Sequence, residues 1–365
     1  MTKINAKNER IKRKYLTWLE DARRKDAKTT TQVAAAISLF EKSTSHRDFA
    51  SFHFEQARKF KCDLEKMKNE NTGKPLAETT IRSRLQMVKA FFEWLSDQPG
   101  YKSKVDFTDA AYFSPSGRQD SIASAKRESP VPALAQIRHV VTTAPSQTAI
   151  EKRDRALIAF AILTGMRDAA LASLSIGKVN LAKREVFQDA RVVKTKNSKT
   201  MTTFFFPVGD DFVEIIKDWV TYQKTELLFA ETDPLFPKTE IGLNEGGVFA
   251  AVGLSREYWA DASAIRRIFR ERFEAADLPY FHPHSFRKTL AHYAYNLNLG
   301  LRESKAWSQN LGHEKPMTTW TSYGAVPVHQ TGEIMVSLAK NKSAASESPP
   351  PEALEWFKRQ IEANQ

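Results

Sequence analysis

Between Ser114 and Pro132 the apolar rhythm of the chain stops. The segment holds Ser, Gly, Pro and mixed charges with no hydrophobic period, which is the composition of a connector. Enough apolar residues remain on either side for two separate cores. A chain of 365 residues interrupted there is expected to fold as a first domain over 1–113, a linker over 114–132, a second domain over 133–338 and a tail over 339–365.

The first domain reads as helices. Its clearest element is Ile81–Leu95, where Ile81, Leu85, Val88, Phe92 and Leu95 recur at helical spacing. Thr79 or Thr80 is expected to cap its start. Arg82, Arg84 and Lys89 fall off that stripe and face water or an anion. The ordinary reading of such charges is a solvated helix face.

The second domain opens with helical text at Ala133–Val141 and at Lys152–Leu163, which Gly165 breaks. One or two further turns follow over Asp168–Leu174. The character then changes. Glu185–Thr195 and Thr200–Val208 are rich in Val, Phe and Thr, with polar Lys196–Lys199 between them, a β-hairpin with a basic tip. Helical text resumes at Phe212–Phe229, Ala262–Ala276, Ser285–Leu297 and Leu301–Leu311. The Gly-rich stretch Gly242–Gly253 reads as a loop. Pro349–Pro351 open a short tail helix with Leu354, Phe357 and Ile361 on one face. The expected fold class is mostly α with a small antiparallel sheet in the second domain.

Composition narrows the function. A net charge of +12 favours a polyanionic partner, of which nucleic acid is the commonest. The single cysteine, Cys62, excludes an intramolecular disulfide and a Cys-rich zinc site, and fits a reducing cytoplasm. Met1–Arg10 lacks the apolar stretch of a signal peptide. The longest apolar run, Ala156–Leu163, is too short to span a bilayer. The expectation is a soluble intracellular protein with no membrane partner.

Four short segments of the second domain carry residues suited to one chemistry: Thr164-Gly165-Met166-Arg167, His284-Ser285-Phe286-Arg287, Leu311-Gly312-His313 and Ser322-Tyr323-Gly324. The basic hairpin tip is a fifth. Breaking a phosphodiester without metal requires neutralising the charge that builds as a fifth oxygen approaches phosphorus. Two arginines and histidines from separate segments can make such a cage. A tyrosine hydroxyl, with an ordinary pKa near ~10, must lose its proton to attack, and a nearby His can assist. A lysine can protonate the leaving oxygen. Each segment by itself is common, and only their order and spacing give them weight.

In that order the segments resemble the tyrosine recombinase (phage integrase) family, over roughly Pro130 to Gln330. LGHEKPMTTWTSYG, at Leu311–Gly324, looks like a bacterial integrase subgroup. The first domain resembles, more loosely, the family's helical core-binding domain. The resemblance implies a two-domain clamp on double-stranded DNA that cleaves and rejoins strands for integration, excision or resolution. Arg167 and Arg287 would bind the scissile phosphate, and His284 would act as general base or phosphate ligand. His313 would donate a hydrogen bond to the phosphate, and Tyr323 would form a 3′-phosphotyrosine. Lys196 is the first choice for general acid and Lys194 the second, and the two of Lys194, Lys196 and Lys199 that do not serve as the acid would contact phosphate. The resemblance further implies a homotetramer on paired sites, with accessory DNA-bending or directionality proteins as further partners. No cofactor and no metal are implied. Ile81–Leu95, with Arg82, Arg84 and Lys89, is the candidate groove-facing helix, although core packing explains its apolar side equally well. The tail helix docks on a neighbouring subunit, packs in cis or stays disordered.

One departure stands out. Where the family often carries Glu three residues after the first arginine, this chain has Ala170, and Asp168 is the carboxylate nearby that takes part of its orienting role. The alternatives to a recombinase are a non-catalytic DNA-binding protein of the same fold and a type IB topoisomerase. A metal-dependent nuclease lacks its carboxylate cluster here.

Overall fold

The computed structural model describes residues 4–70, 72–115, 117, 121, 130–195, 198–243, 246–297, 299–313, 331–332, 335–336, 355 and 359. The chain divides into two units, Met1–Glu128 and Ser129–Gln365.

Unit one is helical. Helices α1 (Ala6–Asp21), α2 (Ala27–Ser43), α3 (Phe54–Lys66) and α4 (Glu78–Ser96) are joined by a short 3-10 turn at Phe49–Ser51 and followed by another at Phe107–Phe113. Asn5 and Asp26 cap the first two helices by accepting backbone N–H groups through their side chains. The expected stripe of α4 forms: Ile81, Leu85, Val88, Phe92 and Leu95 are all at most 4% exposed. Its start differs from expectation. Ala77 is the N-cap and offers no side-chain acceptor, so Thr79 and Thr80 lie within the first turn. The core is aromatic. Phe52 stacks on Phe92 with ring centroids 3.8 Å apart, and Phe40 meets Phe60 edge-on. Lys12 reaches the buried Glu41 at 2.7 Å, so this charge is paired rather than stranded in the core.

Unit two is mostly helical with two small antiparallel sheets. Its helices are α5 (Leu134–Thr143), α6 (Ala149–Thr164), α7 (Asp168–Leu171), α8 (Asp210–Thr225), α9 (Ser263–Ala275), α10 (Ser285–Asn296) and α11 (Leu301–Asn310). Helix α6 is the axis of the core, because every residue from Ala156 to Thr164 is buried. A helix apolar all round must be surrounded, and α5, α8, α9 and α10 pack against it. Thr148 and Glu151 close a capping box at its start.

Strands β1 (Val179–Asn180), β2 (Glu185–Gln188) and β3 (Met201–Phe204) form one sheet in that order. The expected hairpin is present in β2 and β3, paired Glu185↔Phe204 through Gln188↔Met201. It is shorter than the text suggested. Strand β2 ends at Gln188, because Asp189 turns the chain by accepting from the N–H groups of Val192 and Val193 and by pairing with Arg191 at 2.6 Å.

The expected loop at Gly242–Gly253 is instead a second hairpin, β4 (Thr239–Leu243) with β5 (Phe249–Leu254), bulged between Glu240 and Ile241. Gly242 earns its place there: a Cβ would sit 3.0 Å from Val252 Cγ2. The base of this hairpin is tied to α6 by the buried Arg153. Its Nη1 donates to the carbonyl of Pro237 and to Thr239 Oγ1, each at 2.9 Å. Ile241, Leu243 and Phe249 are 61%, 62% and 75% exposed, leaving one face of the hairpin apolar and uncovered among the described residues.

Candidate active site

The site is built where α6 stops. Thr164 Oγ1 donates to the carbonyl of Phe160 at 2.7 Å and accepts from the N–H of Met166, which turns the chain. Gly165 follows at φ 58°, in the left-handed region that glycine occupies without penalty. A Cβ on Gly165 would lie 2.8 Å from Leu311 Cδ2 and 2.9 Å from Leu290 Cδ1. Glycine therefore lets α10 and the Leu311 turn approach the end of α6. Met166 is buried in the core, and Arg167 emerges half-buried as the N-cap of α7.

Arg287, in the first turn of α10, is 3% exposed. Its Nη1 donates to the Gly165 carbonyl at 2.6 Å. Its Nη2 donates to the Leu311 carbonyl and meets His313 Nε2 at 2.8 Å. A guanidinium has no acceptor, so His313 Nε2 must accept and its ring proton lies on Nδ1. His313 is itself buried at 7%, and its backbone N–H donates to the Ser308 carbonyl. Gly312 turns this segment at φ 75°. One buried cation thus joins three of the segments singled out in the sequence.

His284 is the N-cap of α10. Its imidazole pKa is pushed down to about 4, first by loss of water around the ring and then by the charges of Arg287, Arg167, His282 and Lys288. The residue still exposes part of its surface, and solvent there softens the effect. The causes describe the site: two guanidinium groups and a lysine bear on a neutral imidazole. That arrangement attracts an oxyanion and leaves the ring able to accept a proton.

Arg167, His284, Arg287 and His313 are therefore brought together. Lys196 and Tyr323 lie outside the described residues, as does most of the tail at 349–365. Lys194 is exposed, and its Nζ donates to the Ala260 carbonyl at 3.0 Å. Lys199 is half-buried. In unit one, Arg82, Arg84 and Lys89 are half-buried along the flank of α4. Arg84 Nη1 contacts Met67 Sδ, and Lys89 Nζ donates to Ser114 Oγ at 3.0 Å, so both are engaged locally.

Two residues that the sequence did not single out belong to this neighbourhood. Arg266, from α9, pairs through Nε with Asp168 Oδ2 at 2.7 Å. His282 places Nε2 4.0 Å from the same carboxylate oxygen. Asp168 therefore faces Arg266 and His282, and no hydrogen bond joins it to Arg167 among the described residues. Ala170, where a longer carboxylate was expected, is buried at 2% exposure and fills the packing under α7.

Comparison with known proteins bears on this geometry. None of the curated proteins matches the chain. Among solved structures, lambda integrase (75-356), determined as a dimer bound to a COC′ core site, is similar with a TM-score of 0.58 and 13% identity, over 87% of this chain and 95% of that one. The Tn1549 transposon integrase, in complex with transposon right end DNA, is similar with a TM-score of 0.59 and 12% identity, over 90% and 99%. At those identities the likeness is one of fold. The sequence pattern of the phage integrase family matches residues 133–328, more than half of the 365 residues and all of the segments that build the site. By that match the chain belongs to the phage integrase family, the tyrosine recombinases.

Proposed function

We propose that this protein is a site-specific DNA recombinase that cleaves and rejoins strands through a 3′-phosphotyrosine on Tyr323, for integration, excision or resolution. The observation that carries the reading is the buried Arg287, fixed by the Gly165 and Leu311 carbonyls and by His313, beside the depressed imidazole of His284. A guanidinium held by three protein acceptors is pre-oriented, so its field meets the phosphorane without reorganisation. Arg167 supplies the second guanidinium. His284, neutral at physiological pH, assists deprotonation of the tyrosine hydroxyl. His313 becomes a donor to the phosphate by presenting its Nδ1 proton. Lys196 protonates the 5′ oxygen as it leaves. The covalent link keeps the bond energy, so a second 5′-hydroxyl reverses it without ATP.

Double-stranded DNA is the proposed partner. The family resemblance, the net charge of +12 and the DNA in the lambda and Tn1549 complexes support it. Arg82, Arg84, Lys89, Lys194 and Lys199 are proposed phosphate contacts, and a tetramer on paired sites is the proposed assembly.

The test is covalent trapping. Genomic fragments retained by the protein identify the site. A nicked duplex carrying it is then incubated with wild type and with Tyr323→Phe in EDTA and run on a denaturing gel. A protein–DNA band for wild type and none for the variant is expected. Tight binding with no covalent band from either would make a non-catalytic DNA-binding protein the better reading.

A further inference from the structure

Helix α10 begins with a turn whose parts have a second task. Ser285 donates to the His282 carbonyl through both its backbone N–H, at 2.8 Å, and its Oγ, at 2.7 Å. Within that turn the backbone N–H of His284 donates to His282 Nδ1 at 3.1 Å. A ring nitrogen that accepts carries no proton, so in the neutral ring the proton of His282 sits on Nε2. That nitrogen lies 4.0 Å from Asp168 Oδ2, beyond hydrogen-bond distance. The same carboxylate oxygen accepts from Arg266 Nε at 2.7 Å, and its partner Oδ1 accepts the N–H of Ala169 at 2.9 Å.

These groups stand in series: Arg266 donates to Asp168, Asp168 lies 4.0 Å from the ring of His282, and His282 accepts from the backbone of His284. The series adjoins two members of the phosphate cage, because Asp168 follows Arg167 and His282 holds the amide of His284. It also solves an electrostatic problem. An uncompensated carboxylate next to Arg167 would compete with a phosphate for that guanidinium. Arg266 occupies the carboxylate instead.

We propose that His282 and Asp168, with Arg266 as counter-ion, are positioning residues that set the orientation of His284 and keep Arg167 available to the scissile phosphate. The proposal rests on the recombinase reading for its effect on strand cleavage, while the orientation itself belongs to the free protein. His282 touches no reacting atom; it acts through the main chain of His284. Loss of water around the ring holds the His282 imidazole pKa below its ordinary value, against the charge of Asp168, which raises it, and together with that of Arg266, which lowers it.

Two substitutions separate the halves of the series. His282→Ala removes both the acceptor and the ring beside Asp168. His282→Asn keeps an acceptor for the N–H two residues on, in the manner of an Asx turn, but cannot reach Asp168. Single-turnover cleavage of the nicked duplex and equilibrium binding to it are measured for wild type, His282→Ala, His282→Asn, Asp168→Asn and the His282→Ala/Asp168→Asn pair. Cleavage by His282→Ala is expected to slow roughly 10- to 100-fold with unchanged binding, as for other supports one step removed from a reactive group. His282→Asn should recover the part of that loss that runs through the His284 amide, and the remainder should be the share carried by Asp168. The double variant should be slowed far less than the product of the single effects, since both break one series.

Wild-type cleavage by His282→Ala, failure of His282→Asn to recover, or binding that falls in step with cleavage would overturn the proposal. If wild type itself forms no covalent complex, the recombinase reading fails separately, and the positioning is decided by ¹⁵N-imidazole spectra of the free protein. His282 is expected as the Nε2–H tautomer, with the His284 signals moving in Asp168→Asn. The opposite tautomer, or unmoved His284 signals, would overturn it.

Discussion

Arg287 Nη1 and the carbonyl oxygen of Gly165 stand 2.6 Å apart, a contact between the start of α10 and the end of α6 inside the core of unit two. The guanidinium fork is what makes this possible, because its other arm serves the Leu311 carbonyl and His313 at the same time. A lysine there keeps the charge but not the fork. Arg287→Lys is expected to leave at least one buried acceptor unpaired and to destabilise unit two by about 1–3 kcal/mol. Cleavage should fall by roughly 100-fold or more as the oriented donor is lost. Urea denaturation and the trapping gel measure the two effects. A variant with the wild-type midpoint and rate would show that the fork is dispensable.

Gly165 is constrained twice, by its φ of 58° and by Leu311 and Leu290. Alanine there should cost about 1–2 kcal/mol for the left-handed backbone and a further ~1–3 kcal/mol for forcing apart a packed core. Gly247 is the control. Its φ is 72°, yet nothing lies within 4 Å of its Cβ position, so Gly247→Ala should show only the backbone part. Equal losses of stability in thermal melts of the two variants would mean that the close approach at Gly165 has no energetic weight.

Helix α4 and the axis helix α6 were legible in the sequence because burial leaves a repeating mark: a stripe in one case, an apolar surface all round in the other. The second hairpin was not. Its strands carry glycine at Gly242 and Gly253, and its outward face is apolar where a half-buried strand would alternate, so the period-2 signal was lost. Of the site, Arg167, His284, Arg287 and His313 were legible as motif residues. Arg266 and His282 were not, because their role depends on α9 and the turn before α10 meeting at Asp168, which only tertiary packing decides.

The uncovered hairpin face makes its own prediction. Ile241, Leu243 and Phe249 are solvated, so replacing all three with serine removes little buried area. Each such surface change should alter stability by no more than about 0.5 kcal/mol. The triple variant is expected to melt with wild type and to self-associate less at high concentration. A large drop in melting temperature would mean that this face is covered in solution.

The lysine of the hairpin tip is chosen between neighbours by kinetics. Lys194 is already committed to the Ala260 carbonyl, which favours Lys196 as the proton donor. Lys196→Ala should slow cleavage far more than binding, by roughly 100-fold if it acts as a general acid. A leaving group that needs no proton should restore the rate: a duplex with a 5′-bridging phosphorothiolate at the scissile position should be cleaved by Lys196→Ala nearly as fast as by wild type. Equal rates for the variant and wild type on ordinary DNA would move the role to Lys194 or Lys199.

The last prediction follows from the sign of the His284 shift. Its folded pKa lies near 4, below the ordinary histidine value of about 6.5. Between those values the unfolded chain binds the proton and the folded chain does not, so unfolding takes up a proton and stability rises with pH. The contribution is complete above about pH 6.5 and declines as pH falls toward 4. His284→Asn removes the titrating group while keeping a polar side chain of similar reach. Its denaturation midpoint should therefore fall less steeply than that of wild type between pH 6.5 and 4.5, and the two should run parallel above pH 7. His282 also titrates from a lowered value, so a His282→Asn control assigns the remaining slope. Parallel curves for wild type and His284→Asn across the whole range would mean that neither the loss of water around the His284 ring nor the cations beside it lower its pKa, and the proposed phosphate cage would lose that electrostatic support.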